Sequence, residues 1–84
     1  MSKTLSDHQD SEHFSYNRTW EDIENMLYKA EAVRNRWEMQ YYEAKDERDK
    51  KKTLEAMRNM KALEGVIKTL RWTLGDKSII HPLN

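Results

Sequence analysis

The sequence predicts an all-α protein: an antiparallel two-helix hairpin with a short N-terminal segment, assembling as a homo-oligomer. Three observations carry that expectation. Charged residues make up 36% of the 84 positions while there are only two Gly and one Pro, the composition of long helices. Two apolar rows step by three and four residues, the period of one helix face, and an eight-residue charged run separates them out of phase. There is no cysteine, so neither a disulfide nor a thiolate metal site can staple the fold. A chain below roughly 70–80 residues rarely builds a sufficient core alone, which leaves oligomerisation as the staple.

Met1 to His13 is polar, with Leu5 its only large hydrophobe besides Met1, and is expected to be a disordered tail. His8, Asp10, Glu12 and His13 are metal-ligand types, but a tail without a scaffold does not hold them in ligand geometry. We expect no metal and no cofactor. Residues 14–75 form the expected hairpin. Phe14 and Tyr16 precede the first helix, placed either to pack on a neighbouring subunit or to stack on a flat ligand.

Thr19 is an N-cap type, and Asp22 three residues on completes a capping-box pattern. The first helix, over about 19–45, carries the seam Trp20, Ile23, Leu27, Ala30, Arg34, Trp37, Tyr41 and Ala44. Arg34 is the single charge in that heptad-like row. Such a residue fixes register or oligomer state, or requires an anion if buried. Lys45 to Lys52 are all charged and contain neither Gly nor Pro. The turn is nevertheless expected at about 46–49. The seam slips phase there, and an uninterrupted helix from Thr19 to Leu74 would be about 80 Å long.

The second helix, over about 50–74, has two opposed faces. Met60, Leu63, Ile67, Leu70 and Leu74 form the expected core row, continued by Ala56 toward the turn. Leu54, Met57, Arg58, Lys61, Gly65, Lys68 and Trp72 line the other side. A Gly inside a helix costs about 1 kcal/mol against Ala, so Gly65 points to a close approach by a neighbour or a ligand. Gly75 suits the left-handed residue that ends a helix. Residues 76–84 form a C-terminal tail bearing Ile79, Ile80 and Leu83, expected to strap across a hairpin.

The formal net charge is zero, but it is unevenly spread. Thr19 to Ala44 carries −3, Lys45 to Lys52 carries +2, and Thr53 to Gly75 carries +2. Neutrality overall and the lack of a continuous basic patch argue against duplex nucleic acid. No run reaches the ~18 apolar residues of a membrane span and no apolar signal core opens the chain, so we expect a cytoplasmic protein without membrane contact. Two helices do not enclose a rigid pocket for a catalytic constellation, and we expect no enzyme. What remains is a recognition surface. Arg58, Lys61 and Arg71 can serve phosphates, neighbouring rings can serve bases, and Lys29 sits beside the first seam.

These residues resemble a phage family, the anti-CBASS sponges that sequester cyclic oligonucleotide signals, whose helical-hairpin domain is shared with a Thoeris anti-defence sponge. Phe14 and Tyr16 precede the Lys29-Ala30 pair. Arg58 stands at the front of the second helix, before Gly65. Arg71 follows that glycine by six residues, with apolar Val66, Ile67 and Leu70 between. The resemblance covers about residues 14–74. It implies a cytoplasmic homohexamer that captures cyclic dinucleotides such as cGAMP, and cyclic trinucleotides, at subunit interfaces without turnover. Phe14 or Tyr16 would stack on a base, and Lys29, Arg58, Lys61 or Arg71 would meet phosphates. The competing expectation is a hairpin that docks on a host protein, with no small-molecule ligand. A third is a single-stranded nucleic-acid binder, whose affinity would fall steeply with salt.

Overall fold

Thr19 starts the first helix by a reciprocal exchange. Its backbone is extended, its Oγ1 accepts the Asp22 N–H at 3.0 Å, and the Asp22 carboxylate accepts the Thr19 N–H at 3.0 Å. Helix α1 then runs over Trp20–Asp46, and α2 over Lys50–Thr73. The computed structural model describes residues 12–84. His8, Asp10 and most of the segment expected to be a disordered tail lie outside the described residues. Among the described residues the protein is all-α, two antiparallel helices packed on each other, and no helix is long and apolar enough to cross a membrane.

The capping box makes the helix start acid-sensitive. The hydrogen bond from the Thr19 N–H lowers the Asp22 pKa against a smaller opposing effect of desolvation. A carboxylate depressed in the folded state contributes fully above its ordinary pKa of 3.8 and loses that contribution as the pH falls through the depressed value. Thr19→Ala is expected to destabilise by about 1 kcal/mol and to flatten part of the acid limb of stability. Urea denaturation at pH 7 and below pH 4 checks both.

The turn solves a problem that residue types did not announce. Arg48 adopts φ 59°, the left-handed conformation that glycine usually supplies. The Asp49 N–H donates to the Ala44 carbonyl at 2.9 Å and the Arg48 N–H to the Lys45 carbonyl at 3.1 Å. That bond pair is a Schellman motif. Asp49 then caps α2, its Oδ1 accepting the Lys52 N–H at 3.1 Å, so helix end and helix start share adjacent residues. The far end of α2 repeats the motif with Gly75 at φ 89°, the Asp76 N–H reaching the Arg71 carbonyl at 2.9 Å. A side chain in this conformation costs about 1–2 kcal/mol, a cost that Gly avoids. Arg48→Gly, offset by extra freedom of the unfolded chain, is therefore expected to stabilise by about 0.5–1 kcal/mol. A rise in the urea midpoint with an unchanged slope would show it.

Packing follows the two rows. Leu27, Ala30 and Ala44 on α1 and Ala56 on α2 are buried, and Ile23, Trp37, Tyr41, Met60, Leu63, Ile67, Leu70 and Leu74 are half-buried. The antiparallel register is marked by Arg34 to Glu64 at 3.3 Å and Arg71 to Glu31 at 2.5 Å. The same register sets Ala44 opposite Ala56, 3% and 1% exposed, so the helices close tightly beside the turn. Larger residues fill the open end.

Arg34, the charge within the seam, meets two carboxylates: Glu38 at 3.0 Å and Glu64 at 3.3 Å. The hydrogen bond that Arg34 donates to Glu64 is the main reason that the Arg34 pKa is raised. Its cation is thus matched within the hairpin, across the register it was expected to fix. The charge asymmetry between the halves is used less than expected. Of the two inter-helix pairs, one joins a base of α2 to an acid of α1 and the other runs the opposite way.

Beyond Gly75 the tail turns twice. Asp76 Oδ1 accepts the Ser78 N–H and hydroxyl at 2.9 and 2.7 Å, bonds that depress the Asp76 pKa, with Arg71 assisting. Lys68 Nζ donates to the Asn84 carbonyl, bringing the end of the tail back to α2. Of the tail's hydrophobes Ile79 is half-buried, but Ile80 is 91% and Leu83 85% exposed.

The result is thin. The Cα radius of gyration is 17.1 Å, against about 12 Å for a compact domain of this length. Trp20, Met26, Tyr28, Met39, Tyr42, Leu54, Val66 and Trp72 all stay exposed.

Candidate functional site

The first turns of α1 and Leu70, the second-last residue of the α2 core row, enclose an open groove of about 420 Å³. Its wall is Asp22, Asn25 and Lys29, spaced three and four along one ridge of α1, with Arg18 just before the helix. Its floor is Ile23, Met26 and Leu70. Arg18 lies near enough to Asp22 that its charge, after the bond from Thr19, helps to lower the Asp22 pKa. The Asp22 carboxylate is occupied by the Thr19 N–H, which leaves Arg18 and Lys29 as the groove's two cations. The volume lies within the ~300–1,000 Å³ typical of ligand sites, and the chemistry is an apolar shelf beside paired positive charge.

Phe14 and Tyr16 stand a few residues before this groove. Their rings lie 5.7 Å apart, tilted by 40°, and His13 stacks edge-on against Phe14 at 6.4 Å. Tyr16 has φ 53°, a backbone state that costs an ordinary residue energy. Phe14 is 61% and Tyr16 49% exposed, so neither ring is packed into the hairpin.

The remaining sequence candidates divide. Arg58 and Lys61 are exposed on the outer face of α2, turned away from α1. Arg71 faces α1, and its guanidinium is engaged by Glu31 at 2.5 Å and Asp76 at 3.5 Å. Lys29 is in the groove; Arg58, Lys61 and Arg71 do not line it. Within one hairpin the six residues therefore do not form one site. Arg18 and Asn25 escaped sequence reading because Arg18 precedes the helix.

A second groove of about 460 Å³ lies at the turn, lined by Lys45, Arg48, Lys50, Thr53 and Leu54. Lys45 also sits 5.6 Å over the Tyr41 ring, a cation–π distance. No protein-family model, curated protein or solved structure matches the chain.

Proposed function

We propose that the protein captures cyclic di- and trinucleotides without turnover, at sites completed by neighbouring subunits, and so removes a diffusible immune signal in the manner of the phage sponges it resembles. The observation that carries the reading is the groove in which Arg18 and Lys29 flank an apolar floor, with Phe14 and Tyr16 a few residues before it in sequence. A cyclic oligonucleotide presents anionic diesters and flat bases. Cations beside an apolar shelf, with exposed rings close in sequence, match both parts. Lys29 and Arg18 would meet phosphate, and Phe14 or Tyr16 would stack on a base. Arg58 and Lys61 face outward, where a neighbouring subunit would sit. Arg71, paired twice within the hairpin, is the least available of the expected contacts.

Isothermal titration calorimetry with a cyclic dinucleotide and a cyclic trinucleotide tests the reading, followed by chromatography of the mixture. Binding is expected, with the nucleotide recovered intact. Absence of heat with both ligands overturns it, as does conversion to linear product. The second reading, docking on a host protein, is favoured by one observation: the outward Ile80 and Leu83 of the tail. It predicts no ligand-dependent thermal shift, and loss of partner capture when both are changed to Ser.

A further inference from the structure

The groove at the turn is made by the reversal of the chain. Lys45 lies in the last turn of α1, Lys50 is the first residue of α2, and Arg48 stands between them, with Thr53 and Leu54 further along α2. Among the described residues its lining holds three cations and no carboxylate. The acids near the turn are placed elsewhere. Asp49 caps α2 by accepting the Lys52 N–H, Glu43, Glu47 and Glu55 line a separate groove together with Lys52, and Asp46 lines neither groove. Among the described residues no ion pair uses Lys45, Arg48 or Lys50. The Thr53 hydroxyl donates to the Asp49 carbonyl at 2.7 Å, and Leu54 is an exposed large hydrophobe. Between the charged heads the wall is therefore almost wholly apolar, made of Leu54 and the aliphatic stems of the cations.

We infer that this groove docks a short acidic segment of another protein, whose carboxylates meet Arg48, Lys45 and Lys50 while an apolar side chain lies against Leu54. Arg48 holds its guanidinium at the groove in the left-handed conformation, φ 59°, at a cost that Gly would avoid. Backbone strain of this kind clusters at functional positions, and the planar guanidinium fork matches a carboxylate. The mixture of charge and apolar surface selects the partner. A nucleic-acid backbone would use the cations and leave Leu54 idle. The acids of the neighbouring groove repel any extended anionic surface, polyanion or lipid, that approaches the whole tip. A segment with a few carboxylates around one large apolar residue uses both parts and needs only local charge. The turn lies at the opposite end of the hairpin from Arg18 and Lys29 and from the tail that follows α2. This site and the nucleotide reading can therefore fail separately.

Fluorescence anisotropy of the full chain with a labelled synthetic peptide of Glu-Glu-Leu repeats tests the site. Saturable binding is expected, weakening as salt is added. Peptides of Glu-Glu-Ser and of Lys-Lys-Leu repeats are expected to bind at least about tenfold more weakly. Arg48→Gly is the decisive variant. It is expected to weaken binding at least about tenfold while raising the urea midpoint, so that lost binding is not lost folding. Lys50→Ser and Leu54→Ser are expected to act in the same direction with helical circular dichroism retained, and Glu55→Gln, in the neighbouring groove, to leave binding unchanged. No binding of the Glu-Glu-Leu peptide at millimolar concentration overturns the proposal. So does equal binding of the Glu-Glu-Ser peptide, or an Arg48→Gly protein that binds as tightly as the natural chain. Tighter binding of oligothymidylate or of phosphatidylserine vesicles, lost on Arg48→Gly, would make phosphate the occupant and overturn it as well.

Discussion

Arg18→Ala and Lys29→Ala are each expected to weaken cyclic dinucleotide binding by about 10- to 100-fold, and the double substitution to push it beyond detection by calorimetry. Each side chain supplies a charge-assisted hydrogen bond to a phosphate oxygen, and such bonds are worth about 1.5–3 kcal/mol. Every 1.4 kcal/mol is tenfold in affinity. Arg18, just before α1, and Lys29, on it, both line the groove together with Asp22 and Asn25, so a ligand spanning the groove would reach both. Among the described residues neither cation is in an ion pair, and Arg18 acts on Asp22 only by helping the Thr19 bond to lower its pKa, so the hairpin is expected to stay folded without them; thermal melts of the unliganded variants should lie close to that of the natural protein. Arg71→Ala is the contrast. It breaks contacts to Glu31 and Asp76, and its effect should appear in stability rather than in affinity. If Arg71→Ala costs as much affinity as Lys29→Ala, the groove is not where the phosphates lie.

The contrast between Arg18 and Lys29 also shows what sequence reading reaches. Lys29 was legible because the seam at Ala30 fixes its place at the edge of a helix face. Arg18 was not, because a residue before the N-cap has no assigned phase until the cap geometry is known. Thr19, Asp22 and Gly75 were legible because caps and left-handed termini demand particular side chains. Arg48 was not, because arginine has no preference for the left-handed region; the phase slip between the seams pointed to a turn without naming the residue that makes it. For Gly65 the pattern pointed to a close approach, yet the hairpin alone leaves that space open.

The depth ordering of the core was the least legible feature, and it yields the largest expected effect on stability. Rows of Leu, Ile and Trp drew attention by size, but the most enclosed positions are alanines. In a two-helix structure, burial depends on how near the axes come, and the approach is closest where side chains are smallest. The Schellman motif at Arg48 runs directly into the cap at Asp49 and holds the helix ends together, so the inward residues beside the turn must be small. Ala56, 1% exposed, lies opposite Ala44 in the register set by Arg34–Glu64 and Arg71–Glu31. Ala56→Leu inserts three carbons where neither backbone can retreat, and overpacking of this kind costs about 1–3 kcal/mol. Ala62→Leu, on an exposed position of the same helix, adds the same carbons without the clash and should change stability by less than about 0.5 kcal/mol. Urea denaturation followed by circular dichroism distinguishes the two. Equal effects would mean that the turn end is loose and that the register does not bring Ala44 and Ala56 together.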